Sequence, residues 1–64
     1  MTTETLRDRY GTRIGEIEHR GDRLVLRDRD GRRLGEYTPR DNVTRDANGN
    51  RVGTGNLLLT LLHP

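Results

Sequence analysis

The chain has 64 residues, of which 28% are hydrophobic and 34% are charged. This length allows one small domain and excludes two-domain architectures and the large α/β enzyme folds, which need roughly 200 residues or more. Cysteine is absent, so neither a disulfide nor a thiolate metal site supports a small core. Leu, Ile and Val number only 14, and any core must therefore be built from few side chains.

The charges are numerous but nearly balanced. All twelve basic residues are arginine, and ten acidic residues leave a net charge of +2. The two signs alternate along the chain, as in Arg7-Asp8-Arg9, which is typical of a solvated face with cross-strand ion pairs. Nucleic-acid binding through arginine–phosphate contacts is the alternative function, although Phe and Trp, which stack on bases, are absent.

No segment has the composition of a membrane span or a signal peptide. Residues 1–5 are polar, and the longest apolar run, residues 57–62, has six residues where a spanning helix needs about 20. We therefore expect a soluble cytoplasmic protein or a domain of a larger one.

A nine-residue pattern occurs three times in the chain. Arg-Asp-x-x-Gly-x-Arg-(Ile/Leu/Val)-Gly begins at Arg7, Arg27 and Arg45, with five of its nine positions identical in every copy. Such self-similarity is the signature of a repeat architecture. The copies predict repeats near residues 6–24, 26–43 and 44–57, in one β-repeat domain over 1–64 that ends with a C-terminal apolar segment at 57–62.

Each repeat carries a turn signal at its centre. Asp30-Gly31 and Asn48-Gly49 are typical of type I′ hairpin turns, in which both central residues have positive φ. Gly11 occupies the same position after Tyr10, and we expect positive φ at all three glycines.

The segments between turns have strand length rather than helix length. The sequence thus predicts an all-β fold, a meander of short antiparallel strands built from three hairpin repeats. The predicted strands are, in chain order, 5–9, 12–18, 23–29, 32–38, 43–46, 50–54 and 57–62.

The recurring aspartates, Asp8, Asp28 and Asp46, occupy equivalent positions, so we expect each to make the same turn hydrogen bonds. An asymmetric active site would require one copy to differ, and no copy does. Asp28-x-Asp30-Gly31 also lacks the further ligands of an EF-hand calcium loop. We therefore expect a protein that is not an enzyme and has no cofactor.

The second glycine of each repeat, Gly15, Gly35 or Gly53, falls inside a predicted strand. Glycine there indicates a bulge, a bend or the close approach of another backbone, with a backbone opened for a ligand as the alternative. The aliphatic residues before these glycines are expected to be buried in a common core with Leu24 and Leu26. They are Ile14, Leu34 and Val52.

The two histidines are weak candidates for a metal site. His19 falls in a predicted turn and is expected to be exposed. His63 follows the leucines near the C-terminus, where a polar tail is the simpler interpretation. On a symmetry axis, however, His63 would form a ring of imidazoles able to hold a transition metal.

The run from Asp28 to Tyr37 resembles the hairpin repeats of the four-fold β-flower family of small bacterial proteins, and the resemblance covers about residues 6–54. The YD-type repeats of large toxins share a similar turn pattern. The β-flower resemblance implies a small all-β unit assembled about a four-fold axis, and it implies no reaction.

The C-terminal apolar segment contains five leucines in six positions: Leu57, Leu58, Leu59, Leu61 and Leu62. As a strand, this segment would bury its leucines only if both of its faces were covered. The rest of the chain is too polar to cover both. We therefore expect a homo-oligomer, with a tetramer as the best estimate and the leucines at its interface.

Overall fold

A computed structural model describes residues 2–62 of the chain. Six antiparallel strands form one sheet whose strand order follows the sequence, so the predicted all-β meander is confirmed. No helix within residues 2–62 has the length and apolar character needed to cross a membrane. The elements are β1 (Thr2–Arg7), β2 (Arg13–Arg20), β3 (Arg23–Asp28), β4 (Arg33–Thr38), β5 (Val43–Asp46), β6 (Arg51–Thr54) and a 3-10 helix (Leu58–Leu61).

The hairpin turns differ from the predicted type. In the second repeat, the Gly31 N–H donates to the Asp28 carbonyl (3.0 Å) and the Asp28 N–H donates to the Arg32 carbonyl (2.9 Å). These bonds enclose a three-residue loop, which needs a single left-handed residue before the second strand. Gly31 supplies it with φ +86°, while Asp30 does not have positive φ, so the type I′ prediction is wrong. Gly11 (φ +83°) and Gly49 (φ +85°) take the same conformation.

Each repeat hairpin contains a β-bulge at the same point. Leu26 faces Gly35 and Arg27 faces Arg33, which leaves Leu34 as the extra residue of β4. The same register shift occurs between β1 and β2 and between β5 and β6, where Ile14 and Val52 are the extra residues. The bulge that the repeat glycines predicted thus lies immediately before each of them.

The core lies on one face of the sheet. Ile17 on β2 and Leu26 on β3 face each other and are buried beneath Leu58 of the 3-10 helix. We call this side of the sheet the apolar face and the opposite side the polar face. Six partly buried residues surround the buried three: Leu6, Leu24, Leu34, Tyr37, Leu61 and Leu62.

One member of the predicted common core is exposed. Ile14 and Leu34 are half-buried, but Val52 is 40% exposed. Ile14 shares a hollow with Asp28 and Arg29 from the turn of the following repeat. Val52 lies on β6, the last strand of the sheet, and no further hairpin within the described residues covers it.

The C-terminal apolar segment is not a seventh strand. Leu58–Leu61 form a 3-10 helix, with the Thr60 N–H donating to the Leu57 carbonyl at 3.0 Å. The Asn56 side chain accepts the Leu58 N–H (3.2 Å), and buried Thr44 accepts the Leu57 N–H (2.9 Å) while donating to the Gly55 carbonyl (2.6 Å). These bonds turn the segment across the apolar face, where a helical turn presents its leucines to several strands at once.

Candidate functional site: the repeat glycines, the leucines and the arginines

Each repeat glycine lies beneath one leucine of the C-terminal segment. A Cβ atom on Gly35 would stand 2.5 Å from Leu61 Cδ1, and one on Gly53 would stand 2.7 Å from Leu57 Cδ1. The third pair is Gly15 with Leu62, at 3.2 Å. The space made by the missing side chains is therefore occupied by the chain's own leucines.

The glycines also lie close to the neighbouring strand. A Cβ atom would stand 2.6 Å from the Arg27 carbonyl oxygen at Gly15, and 2.5 Å from the Arg45 carbonyl oxygen at Gly35. Real Cβ atoms do not approach backbone oxygens so closely, so these positions require glycine for steric reasons. The structure thus places both features that the sequence suggested, a bulge and a close backbone approach, at one point of the first and second repeats, while the third has the bulge alone.

The leucines of the C-terminal segment divide into two groups. Leu58 is fully buried, and Leu57, Leu61 and Leu62 are half-buried against the same chain. Leu59 alone points outward and is 64% exposed. The expectation that the rest of the chain could not cover these leucines is therefore wrong for most of them, because the apolar face of the sheet covers them. The sequence shows three glycines at equivalent positions but gives no sign that each is matched with a leucine.

The recurring aspartates organise the hairpin turns. Asp28 Oδ1 accepts the N–H groups of Asp30 (2.9 Å) and Arg32 (2.9 Å). Asp8 and Asp46 accept the N–H groups two and four residues ahead in the same way, at 2.9–3.0 Å. Each carboxylate thus replaces a backbone acceptor in an Asx turn.

The arginines of the pattern link the repeats. Arg13, the second arginine of the first repeat, donates to the Arg29 carbonyl in the turn of the second repeat (2.7 Å). Arg33 makes the equivalent bond from the second repeat to Ala47 in the third (3.1 Å). Arg51 of the third repeat has no following turn and donates to Thr54 Oγ1 in its own strand (2.8 Å).

The polar face carries a cluster of charges around buried Val25. Glu18 pairs with Arg27 and, at 3.7 Å, with Arg20, and the hydrogen bond from Arg27 holds the pKa of Glu18 below its ordinary value. Glu36 pairs with Arg23 (3.2 Å) and Arg33 (3.6 Å). Four arginines thus meet two glutamates in this cluster, which leaves an excess of positive charge on the polar face.

The structure brings no metal-binding cluster together within residues 2–62. His19 is exposed, as expected, but lies at the end of β2 rather than in a turn. The weak metal candidate His63 lies outside the described residues.

The fold and these contacts define an all-β repeat protein whose recurring residues maintain the hairpins. Comparison of the chain with protein-family models, curated proteins and solved structures finds no match. The β-flower resemblance therefore stays a hypothesis based on the sequence.

Proposed function

We propose that this chain is a non-enzymatic β-repeat module that assembles with copies of itself and has a structural or interaction role. The observation that carries the proposal is that β1 and β6 each lack a paired strand on their outer side within the described residues. In β1, five of six residues are exposed and only Leu6 is half-buried. An uncovered edge strand presents unpaired N–H and C=O groups, which are ready to pair with another strand.

The composition of β1 leaves it able to pair. Natural edge strands are commonly blunted by charged side chains, especially lysine, by proline or by a very short length. Two of the six residues of β1, Glu4 and Arg7, are charged, but three are threonine and none is lysine or proline. Threonine is β-branched and suits a strand that acquires a partner.

The recurring polar residues support a structural role. The three aspartates of the pattern accept turn N–H groups, and Arg13 and Arg33 donate to the turn of the next repeat. Each of these residues thus makes a hydrogen bond that stabilises the hairpins. A cytoplasmic location belongs to the same proposal, since a chain without cysteine gains nothing from an oxidising compartment.

Leu59 provides apolar surface for assembly. It borders a hollow that also contains Glu4, Leu6 and Ile17, at the β1 side of the sheet. The predicted leucine interface is thus reduced to Leu59 and the exposed parts of its neighbours. The tetramer remains the best estimate, and it rests on the β-flower resemblance.

Light scattering of the full chain tests the proposal directly. The chain mass is 7.4 kDa, and we expect the measured particle mass to be two or more times this value over a range of protein concentrations. Leu59→Gln should shift the equilibrium toward the monomer without unfolding the chain, since its side chain is exposed. A monomer at every concentration would contradict the proposal.

A second candidate function, nucleic-acid binding, is favoured by the positive excess on the polar face. Its test is the salt dependence of binding to fluorescent duplex and single-stranded oligonucleotides, since each released counterion steepens that dependence. A double variant, R20Q with R23Q, should abolish a specific interaction through this cluster. Weak binding that this variant does not change would eliminate the candidate.

A further inference from the structure

The contact between successive repeats follows one rule inside the chain. Where β2 meets β3, the repeat glycine Gly15 faces Asp28, and the next residue, Glu16, faces Arg27. Where β4 meets β5, Gly35 faces Asp46 and Glu36 faces Arg45 in the same register. Both junctions also carry the arginine bond from one repeat to the turn of the next.

Both halves of a third such junction are present but separated at the two ends of the sheet. On β6, Arg51 is equivalent to Arg13 and Arg33 and has no following turn to bind. In the first repeat, Arg9 is equivalent to Arg29 and Ala47, and within the described residues no hydrogen bond reaches its carbonyl oxygen.

Two exposed hydrophobic residues also lie at the two ends of the sheet, where the halves of the missing junction are. Inside the chain, Ile14 shares a hollow with Asp28, Arg29 and Asp30 of the next turn. The equivalent of Ile14 on β6 is Val52, which is 40% exposed. The equivalent of Asp30 in the first turn is Tyr10, which is 77% exposed.

We propose that β6 of one copy pairs with β1 of a second copy in the register of the two internal junctions. Gly53 then faces Asp8 of the second copy, and Thr54 faces its Arg7. Arg51 donates to the carbonyl of Arg9, and Val52 packs against Tyr10. The inference rests on the proposed self-assembly and adds the surfaces and their alignment.

Only the end of β6 takes part in this pairing. The internal junction between β4 and β5 pairs residues 35–38 with residues 43–46, and of the equivalent positions 53–56 only Gly53 and Thr54 lie in β6. The proposed strand pairing therefore consists of two residue pairs, to which the Arg51 bond and the contact of Val52 with Tyr10 are added. The contact is head-to-tail, so successive copies close into a ring or continue as a filament, depending on the rotation between them. Either arrangement pairs the edges that a single copy leaves open.

Disulfide trapping tests the register, and the natural chain contributes no cysteine background. Residues that face each other across antiparallel strands have Cβ atoms about 4.5–5.5 Å apart, close to the range that a disulfide spans. The double variant R7C with T54C should therefore cross-link between copies under mild oxidation. An intrachain disulfide is excluded, because the two positions lie on opposite edges of the sheet.

Three controls accompany the trapping experiment. T3C with T54C keeps the same face of β1 but moves the thiol four residues, about 13 Å, along the strand. R7C alone cross-links only if β1 of one copy pairs with β1 of another, and T54C alone only if β6 pairs with β6. Cross-linking of a control as efficient as that of R7C with T54C would overturn the proposed register.

A second pair of variants separates association from folding. R51Q should weaken association by about tenfold to 100-fold, the loss expected for one hydrogen bond from a charged group, with the unfolding midpoint at dilute concentration unchanged. R13Q removes the equivalent bond inside the chain and should lower the unfolding midpoint of the dilute protein. If R51Q associates like the natural chain, the proposed junction is wrong.

The outcomes also distinguish this inference from the proposed function. An oligomer by light scattering that does not cross-link through R7C and T54C overturns the junction and leaves self-assembly standing. A monomer at every concentration overturns both.

Discussion

Leu61 lies over Gly35 with no room for a side chain between them: a Cβ atom at position 35 would stand 2.5 Å from Leu61 Cδ1. The same Cβ atom would stand 2.5 Å from the carbonyl oxygen of Arg45 on the neighbouring strand. Two contacts therefore exclude a methyl group at Gly35, one with the adjacent backbone and one with the covering leucine. At Gly53 only Leu57 is near, so a comparison of the two positions separates the effect of the backbone from that of the leucine.

Gly35→Ala should destabilise the fold more than Gly53→Ala. At Gly35 the obstructing atom is a backbone oxygen, which moves only if the sheet distorts, and overpacking of this kind costs about 1–3 kcal/mol. At Gly53 the obstructing atom is the end of the flexible Leu57 side chain, which a rotamer change removes. Denaturant unfolding of both variants measures the difference. Equal losses would show that the close backbone approach at Gly35 does not restrict that position.

Gly31→Val should be costly although nothing lies within 4 Å of the missing Cβ atom. The penalty comes from the φ of +86°, which a β-branched residue adopts only with strain of about 1–3 kcal/mol. Gly31→Asn is the matched control, because asparagine tolerates the left-handed region. Thermal unfolding should rank the natural chain first, Asn second and Val last, and a reversal of the last two would contradict the turn geometry.

Leu58→Ala and Leu59→Ala compare neighbouring leucines of one helix. Leu58 is fully buried, so its truncation should cost about 2–5 kcal/mol and leave Ile17 and Leu26 partly uncovered. Leu59 is exposed, so its truncation should change the free energy of unfolding of the dilute chain by less than about 0.5 kcal/mol. A truncation ending at Asn56 removes all five leucines and should unfold or aggregate the chain. A stable, folded product of that truncation would contradict the assigned role of Leu58.

Thr44→Val should loosen the C-terminal segment. Thr44 Oγ1 is buried, donates to the Gly55 carbonyl and accepts the Leu57 N–H, so valine would leave two backbone groups without partners. An unsatisfied buried polar group costs about 1–3 kcal/mol. Thr44→Ser is the control because it keeps the hydroxyl. Hydrogen exchange at the Leu57 amide should accelerate in the valine variant more than in the serine variant.

Acidification should remove the contribution of Glu18. Its pKa is lowered in the folded chain, first by the hydrogen bond from Arg27, so its stabilisation is complete above the ordinary value of 4.5. That stabilisation disappears as the pH falls through the lower folded-state pKa. Glu18→Gln should therefore flatten the dependence of the unfolding midpoint on pH below about pH 4.5. An unchanged slope would indicate that other carboxylates determine the acid response.

The fold was predictable because its information is local. Arg-Asp-x-x-Gly places an Asx-turn aspartate and a left-handed glycine within five residues, and three such signals determine three hairpins. The turn type was predicted wrongly because Asp30-Gly31 also fits a two-residue loop. The hydrogen bonds of Asp28 select the three-residue loop. The exposure of Val52 followed from its edge position, which the pattern alone does not reveal.

The role of the leucines was not predictable in the same way. Gly15 and Leu62 lie far apart in the sequence, and a contact between them produces no periodic pattern from which it could be predicted. A run of leucines fits a buried strand and a buried helical turn equally well. The Asn56 and Thr44 hydrogen bonds decide between them, and these become visible only when β5 lies beside the end of β6.

The contacts of the C-terminal leucines with the repeat glycines also determine how the chain unfolds. Leu62, Leu61 and Leu57 each rest on a glycine from a different hairpin. In solenoid repeats each unit contacts only its neighbours, so the ends fray while the centre persists. Here, the opening of any one hairpin uncovers a leucine held in the same short segment as the other two. We therefore expect the three hairpins to unfold together, in one cooperative transition, although their strands are paired only with their neighbours in sequence.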